Sequence, residues 1–466
     1  MKAMIIDLTH GGIIISKYLK KLGYEVWAYD IYNTIKEKDK KELENKDIKL
    51  IRDLDEINKV ISDSETYIIS PVHCPLNIGE NMENIKLLNF HEALSLILKN
   101  WNNKRKKEDK VLIEITGVKG KTSTLNLLKD ILIKEDNLVS LSSLGLYYYK
   151  QEKENLLEKN ISINPTSLIK LVETCKSKNI NDYKYILVES SLGTSSLSDI
   201  SILTNIIEDY SIAKNKKKSS EAKKQVFNSK LIIGEYETLL KFYPSELETL
   251  KNKINTFSLK NNDANLRIEE IKQSMGNTYL NIKYDNLKTL DGEFISGNIE
   301  LNTFAPGDYN VSNILASITA ALSLGKDKKS IIALNDYNQI NGRTSKRMID
   351  DCVIIEEINP GLNVKSIEKS INMVKNLENY SVILGGEYGV TCEEIDEKKL
   401  SKYLENEINN GFEIILVDEL GESIKNKINH KIEYYENYNN AINKLIEDNK
   451  NILFIYRSNY SNLNKR

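Results

Sequence analysis

The stretch Ile115-Thr116-Gly117-Val118-Lys119-Gly120-Lys121-Thr122-Ser123-Thr124 combines residue types and spacing that point directly to phosphate chemistry. An apolar run, Val111-Leu112-Ile113-Glu114-Ile115, leads into it and a helical pattern opens at Lys121, the context a phosphate-binding loop requires. Gly117 and Gly120 let the backbone approach an anion. Successive N–H groups from Val118 and Lys119 through Ser123 form the cradle, and the helix N-terminus adds partial positive charge. Lys121 would reach the β- and γ-phosphates of a nucleotide, and the Thr122 hydroxyl would ligate Mg²⁺. The G-x-x-G-K-T spacing is two residues shorter than the general G-x-x-x-x-G-K-[ST], so an ordinary strand-to-helix turn is the competing reading.

A carboxylate for the metal should end a neighbouring strand. Glu189 does so after Tyr183-Lys184-Tyr185-Ile186-Leu187-Val188, either as that ligand or as a cap for the next segment. Three of the four histidines, His10, His73 and His91, fall in the first hundred residues, each just after a strand-like run. In an open parallel sheet ligands bind outside the carboxyl ends of the strands. Together with Gly11 the three therefore form a candidate substrate crevice, suited to proton transfer, carboxylate binding or a metal contact. Each could instead be a turn or cap residue. Arg457 ends the last strand-like run and either meets an anionic substrate or belongs to a loose tail. Cys74 reads as packing, since no partner cysteine lies near it.

These residues need elements to position them. The 466 residues suggest about three domains. The pattern alternates strands and helices throughout, which makes the fold class α/β with parallel sheets. The expected domains are 1–105, a Rossmann-like substrate domain; 106–338, a central P-loop domain with a small antiparallel insertion over 279–303; and 339–466, a second Rossmann-like domain. The charge run 101–109 reads as the linker between the first two. Hydrophobic residues at 40% and charged residues at 28% are enough for ordinary cores. Lys+Arg 65 against Asp+Glu 67 leaves −2, which excludes a bulk electrostatic nucleic-acid binder. No apolar run reaches the ~18 residues of a membrane span, and no signal segment is evident at the N-terminus. Four dispersed cysteines, none in C-x-x-C spacing, fit a cytoplasmic, reducing setting. A G-x-G-x-x-G fingerprint is absent, which argues against a nicotinamide dinucleotide.

Several weak motifs in one order resemble the Mur ligase family of ATP-dependent amide ligases. The loop Thr116–Thr122 is similar to that family's T-G-T-x-G-K-[ST], Glu189 to its central-domain metal glutamate, and Leu203–Asp209 to its T-N-x-x-x-D-H segment. Ala222-Lys223-Lys224-Gln225-Val226-Phe227 resembles a segment whose lysine is commonly carbamylated. Gly307–Asn313 and Asn341-Gly342-Arg343 resemble two nucleotide-contacting segments. The resemblance implies ATP and Mg²⁺, with Asp209 joining Thr122 and Glu189 at the metal, Lys121 and Lys223 catalytic, and Asn310 and Arg343 at the nucleotide.

Two departures stand out: Tyr210 and Tyr309 occupy positions where the family has histidine. In addition, Glu356–Gly361 lacks the aspartate pattern of amino-acid-adding members. In the first domain, Asp7–Gly12, Pro71–Pro75 and Phe90–Ala93 are similar to the archaeal branch that makes coenzyme F(430). That similarity implies a methanogen's enzyme acting on a nickel tetrapyrrole, a small-molecule substrate, as a monomer or homodimer. ATP would activate a side-chain carboxylate of the nickel seco-precursor, and a ring carbon would close on it. A Mur-type peptide ligase acting on a pseudomurein or pterin-type precursor is the alternative within the fold. A nucleotide-dependent binding protein is the alternative from another class.

Overall fold

The computed structural model describes residues 1–52, 65–75, 84–159, 161–213, 215–274, 277–337, 344–359, 362–375, 379–387 and 395–458. Its strands form three large sheets. The first holds β1 (Lys2–Ile6), β2 (Glu25–Tyr29), β3 (Lys49–Ile51), β4 (Thr66–Ser70) and β5 (Ile85–Asn89) in the order β3-β2-β1-β4-β5. All four pairings are parallel. Ala3, Met4, Ile5 and Ile6 are all fully buried, because β1 is central and covered on both faces. Strand order reverses between β1 and β4. The carboxyl ends there form the crevice where ligands of doubly wound sheets bind.

The second sheet is built on β6 (Val111–Thr116), β7 (Leu138–Ser142), β8 (Gly145–Lys150), β9 (Lys153–Glu158), β10 (Tyr185–Glu189) and β11 (Ile200–Leu203). After a short separate ladder, β12 (Ser211–Ile212) with β13 (Lys217–Lys218), it adds β14 (Leu231–Glu235), β15 (Ile254–Ser258), β16 (Leu266–Ser274), β17 (Asn277–Lys288) and β18 (Phe294–Thr303). The order is β18-β17-β16-β15-β14-β11-β6-β10-β7-β8-β9. β6 lies between β11 and β10, parallel to both, so the loop after it emerges at the middle of the sheet. β8 and β9 form an antiparallel hairpin through Gln151 and Glu152, both in the left-handed region. Nothing in the sequence pattern singled that hairpin out. The strands expected over 279–303 are β17 and β18.

The third sheet holds β19 (Thr344–Ile349), β20 (Cys352–Ile358), β21 (Tyr380–Gly386), β22 (Ile414–Val417), β23 (Glu433–Tyr435) and β24 (Asn451–Arg457) in the order β19-β20-β24-β21-β22-β23. Only the edge strand β19 runs antiparallel to its neighbour. The Gly385-Gly386 pair ends β21 where space is short: a Cβ on Gly385 would lie 2.2 Å from the Val417 carbonyl oxygen.

The chain makes two compact units. One comprises Met1–Ile268, Ile282–Asn298 and Ser312–Ala333; the other comprises Glu269–Asn281, Ile299–Val311 and the chain from Leu334. Among the described residues no helix is long and apolar enough to cross a membrane.

The linker reading of 101–109 is corrected. Lys99–Lys107 is a helix, and Arg105 is its anchor at 1% exposure. Its guanidinium donates to the Asp199 carboxylate at 2.5 Å, the Leu197 carbonyl at 2.6 Å and the Lys110 carbonyl at 2.9 Å. A charge run hides such a helix because one buried cation, held by three acceptors, replaces the usual apolar stripe.

Candidate active site

β6 ends at Thr116, and the next helix, Lys121–Leu132, begins beyond Gly120. Gly117 has φ +146° and Gly120 φ +84°, a backbone course that side chains rarely allow. The loop between them is clasped by the end of the neighbouring strand β11. The Asn205 carbonyl accepts from Val118 N–H at 2.9 Å and its amide oxygen accepts from Lys119 N–H at 3.1 Å. Thr204 Oγ1 donates to the Lys119 carbonyl at 2.6 Å, and Asn205 Nδ2 donates to the same oxygen at 3.2 Å. A Cβ on Gly117 would sit 2.0 Å from Thr204 Oγ1. Lys121 Nζ reaches back to the Gly117 carbonyl at 3.2 Å.

The Thr122 hydroxyl, buried in the first turn of the helix, donates to Glu189 Oε2 at 2.9 Å. The same carboxylate oxygen accepts Ser143 N–H at 3.0 Å, and the Ser143 hydroxyl lies 3.3 Å from that of Thr122. Glu189 stands at the carboxyl end of β10, between β6 and β7. Hydroxyl and carboxylate oxygens form a donor set suited to a hard divalent cation, so these residues fit Mg²⁺. Ser143 was not picked out from the sequence. Behind the site, buried Glu114 accepts from Ser195 N–H at 2.8 Å, and from the Ser195 and Ser198 hydroxyls, which pins the loop after Glu189.

Asp209, expected at the metal with Thr122 and Glu189, also holds a neighbouring helix. Its carboxylate accepts Ser220 N–H at 2.8 Å and the Ser219 and Ser220 hydroxyls at 3.0 and 2.8 Å. It therefore secures the start of the short helix Ser219–Lys223. That helix delivers Lys223, fully buried, whose ammonium donates to the Ser191 carbonyl at 3.2 Å and sits 5.6 Å from the Tyr210 ring centroid. Burial, helped by the positive charge of Lys121, pulls the Lys223 pKa down to about 7.

Asn89 forms a capping box with Glu92 and places His91 in the first turn of the helix Phe90–Ile97. His91 is 2% exposed, its Nε2 lies 3.3 Å from the Ser190 hydroxyl, and its buried Nδ1 has no hydrogen-bond partner among the described residues. Burial first, then the charge of Lys223 and the proximity of His73, lower its pKa to about 3. Burial thus favours its neutral imidazole.

The remaining first-domain residues gather around Asp7, a fully buried carboxylate just past β1 with φ +80°. Asp7 Oδ2 is 2.6 Å from His10 Nδ1 and 3.9 Å from His73 Nε2, while Oδ1 accepts Thr9 N–H at 2.7 Å. The His10 ring meets His73 edge to face at 4.6 Å and Tyr32 at 5.5 Å. Burial, with His10 alongside, lowers the His73 pKa against the opposing pull of Asp7. Cys74 is buried, as packing would have it. Gly11 is pressed so closely against Thr166 that a Cβ would lie 2.6 Å from its methyl carbon. Beyond Thr166 the path is continuous: Ser191 N–H donates to the Ile163 carbonyl at 3.2 Å, and the Ser191 carbonyl receives Lys223. Lys216 Nζ donates to the Pro75 carbonyl at 2.7 Å, tying the His73 loop to the same region. The phosphate loop, Lys223, His91, His73 and His10 thus follow one another within one compact unit.

Two further expected residues, Asn310 and Arg457, belong to the second compact unit. Asn310 is in the first turn of the helix Gly307–Ser323, where its amide donates to the Pro306 carbonyl at 2.8 Å. Arg457 ends β24 at 3% exposure. Arg343, with Asn341 and Gly342, lies outside the described residues.

Comparison with known proteins gives consistent matches. Residues 115–321 match the family described as Mur ligase middle domain, and residues 346–459 match the family described as Coenzyme F430 synthetase CfbE, C-terminal domain. The chain is 31% identical over 447 residues to the coenzyme F(430) synthetase of Methanosarcina acetivorans, covering 91% of each chain. It is 28% identical over 433 residues to that of Methanocaldococcus jannaschii, covering 91% of this chain and 93% of the relative. Among solved structures, a UDP-N-acetylmuramoyl-L-alanyl-D-glutamate–2,6-diaminopimelate ligase aligns at TM-score 0.58 with 16% identity, over 84% of this chain and 81% of the other. This last match speaks to the fold.

Proposed function

The chain belongs to the Mur ligase family, in its coenzyme F(430) synthetase branch, and we propose that its residues carry out an intramolecular, ATP-driven ring closure on a nickel seco-tetrapyrrole. It is an ATP-dependent ligase. A carboxylate resists attack until its oxygen becomes a leaving group, and phosphoryl transfer from ATP supplies that as an acyl phosphate. The clasped loop Gly117–Thr122 holds the polyphosphate, and Lys121 neutralises charge on the transferring group, where such catalysis mostly resides. Thr122 and Glu189, with Asp209 as a further carboxylate, would hold Mg²⁺, which when bound would offset charge on the phosphates. Lys223, neutral in a large share of molecules near pH 7, combines with CO₂: its nitrogen attacks the carbon, loses a proton and becomes a carbamate. That anion restores a negative group beside Lys121. Asn310 and Arg343 contact the nucleotide in this reading, and Arg457 serves the substrate's carboxylates. The domain limits 1–105, 106–338 and 339–466 belong to the same proposal.

The second step needs no incoming amino acid. A ring carbon of the same molecule attacks the acyl phosphate, which gains from proximity. The observation that supports this reading most is the single line of groups from the phosphate loop through Lys223 and His91 to the first-domain histidines, in a chain whose 31%-identical relative spans 91% of it. Incubation with ATP, Mg²⁺ and the nickel seco-precursor, without amino acids, is expected to give ADP and a product lighter by one water. An unchanged precursor mass, with ADP release only when an amino acid is added, would instead identify a peptide ligase.

A further inference from the structure

We propose that Asp7 and His10 form a carboxylate–imidazole pair whose His10 Nε2 takes the proton from the ring carbon during closure. This rests on the ring-closure reading above and assigns, among the three histidines, the one that acts on the reacting carbon. His10 Nδ1 lies 2.6 Å from Asp7 Oδ2, inside hydrogen-bond range, so Nδ1 carries the hydrogen and Nε2 is left with its lone pair. Asp7 is 0% exposed whereas the His10 side chain is 45% exposed, so the pair has an anchored inner half and an accessible outer half. The anchor is built rather than incidental. Asp7 holds φ +80°, a costly backbone state for a residue other than glycine. Its second oxygen is taken by Thr9 N–H at 2.7 Å, and its carbonyl oxygen lies where a Cβ on Gly12 would be, 1.9 Å away. Edge-to-face contacts from His73 and Tyr32 fix the His10 ring plane.

The placement also fits. Asp7 and His10 follow β1 and His73 follows β4, so the pair flanks the reversal of strand order where ligands of this sheet type bind. Gly11 presses on Thr166, which connects this edge to the Lys223 region and so to the phosphate loop. The other two histidines suit the task less. His91 is buried with Nε2 on Ser190, and His73 stands 3.9 Å from Asp7, too far for the same orienting bond. In the step itself the ring carbon's electron pair forms the bond to the acyl carbon. The acyl carbon–oxygen bond breaks, inorganic phosphate leaves with the electron pair of that broken bond, and the proton of the ring carbon passes to His10 Nε2.

The experiment separates the two half-reactions. Wild type, His10→Gln, His10→Ala and Asp7→Asn are incubated with Mg²⁺, ATP and the nickel seco-precursor. Hydroxylamine traps the acyl phosphate, and mass analysis monitors closure. The expected result is trapped hydroxamate within a few-fold of wild type in every variant, with closure slowed about 10²–10⁴-fold in the His10 variants. Added imidazole should partly restore His10→Ala, and Asp7→Asn should fall between wild type and His10→Gln. Asparagine tolerates the left-handed backbone of position 7, so that variant keeps the fold. Closure by His10→Gln at the wild-type rate overturns the proposal and leaves the ring-closure reading intact. So does a stoichiometric metal in purified wild type that is lost in both His10→Gln and His73→Gln, because Asp7 and His10 would then be ligands. Wild type that yields neither hydroxamate nor closed product overturns the ring-closure reading, and this proposal with it.

Discussion

Lys223 is a lysine placed where its charge is unwelcome: no part of it meets solvent, and Lys121 adds a second positive charge nearby. With a pKa of about 7, its neutral share rises as pH climbs through that value and shrinks below it. Carbamate formation consumes the neutral amine, so dependence on CO₂ runs in the same direction. Activity in CO₂-stripped buffer is expected to fall several-fold and to return on adding bicarbonate, with the restored fraction larger at about pH 8 than at about pH 6. Identical rates with and without bicarbonate across that range would remove the carbamate from the mechanism. The lysine could be picked out from the six-residue segment that contains it, but its environment could not. Asp209 shows the same limit, since its position matched a metal carboxylate but its grip on the helix that carries Lys223 could not be read from the sequence.

At the scale of elements, the phosphate loop works because β11 clasps it. Gly117→Ala combines a φ of +146° with a Cβ 2.0 Å from Thr204 Oγ1, so the loop must leave its clasp. ATP turnover by Gly117→Ala is expected to drop at least about 10²-fold with the fold retained, the scale on which misplaced catalytic groups are felt. Thr204→Val, which loses one hydroxyl hydrogen bond but keeps the shape, is expected to cost less; steady-state ADP release checks both. Equal rates in Gly117→Ala and wild type would mean the loop does not carry the polyphosphate. The loop was readable in the sequence because glycines and a lysine at fixed spacing are a local signal. Ser143 was not, since its contribution to Glu189 is a backbone N–H that almost any residue at the end of β7 could provide. Asp7 also escaped notice as a functional residue. Its burial, its left-handed backbone and its grip on His10 arise only when β1 meets β2 and β4.

For the molecule as a whole, the alternating strand and helix pattern was enough to anticipate three α/β sheets, because buried parallel strands are continuous apolar runs. The hairpin β8–β9 and the helix Lys99–Lys107 fell outside that signal, being half-exposed or charged. A ligand that binds only the folded chain stabilises all of the structure that must open to release it. Mg²⁺ with ATP at a hundredfold excess over Kd is expected to add about 2.7 kcal/mol. That is a rise of a few degrees in Tm, seen by differential scanning, and it should vanish in Lys121→Ala. An undiminished shift in that variant would place the nucleotide elsewhere.

The three-acceptor anchorage of Arg105 bears on any attempt to dissect this protein. A recombinant fragment that starts at residue 106 would leave the Asp199 carboxylate and the Leu197 and Lys110 carbonyls without their shared donor, at the very base of the strand that carries the phosphate loop. A truncation that retains the helix from Lys99 keeps that donor in place, and is the better starting point for expressing the nucleotide-binding portion alone.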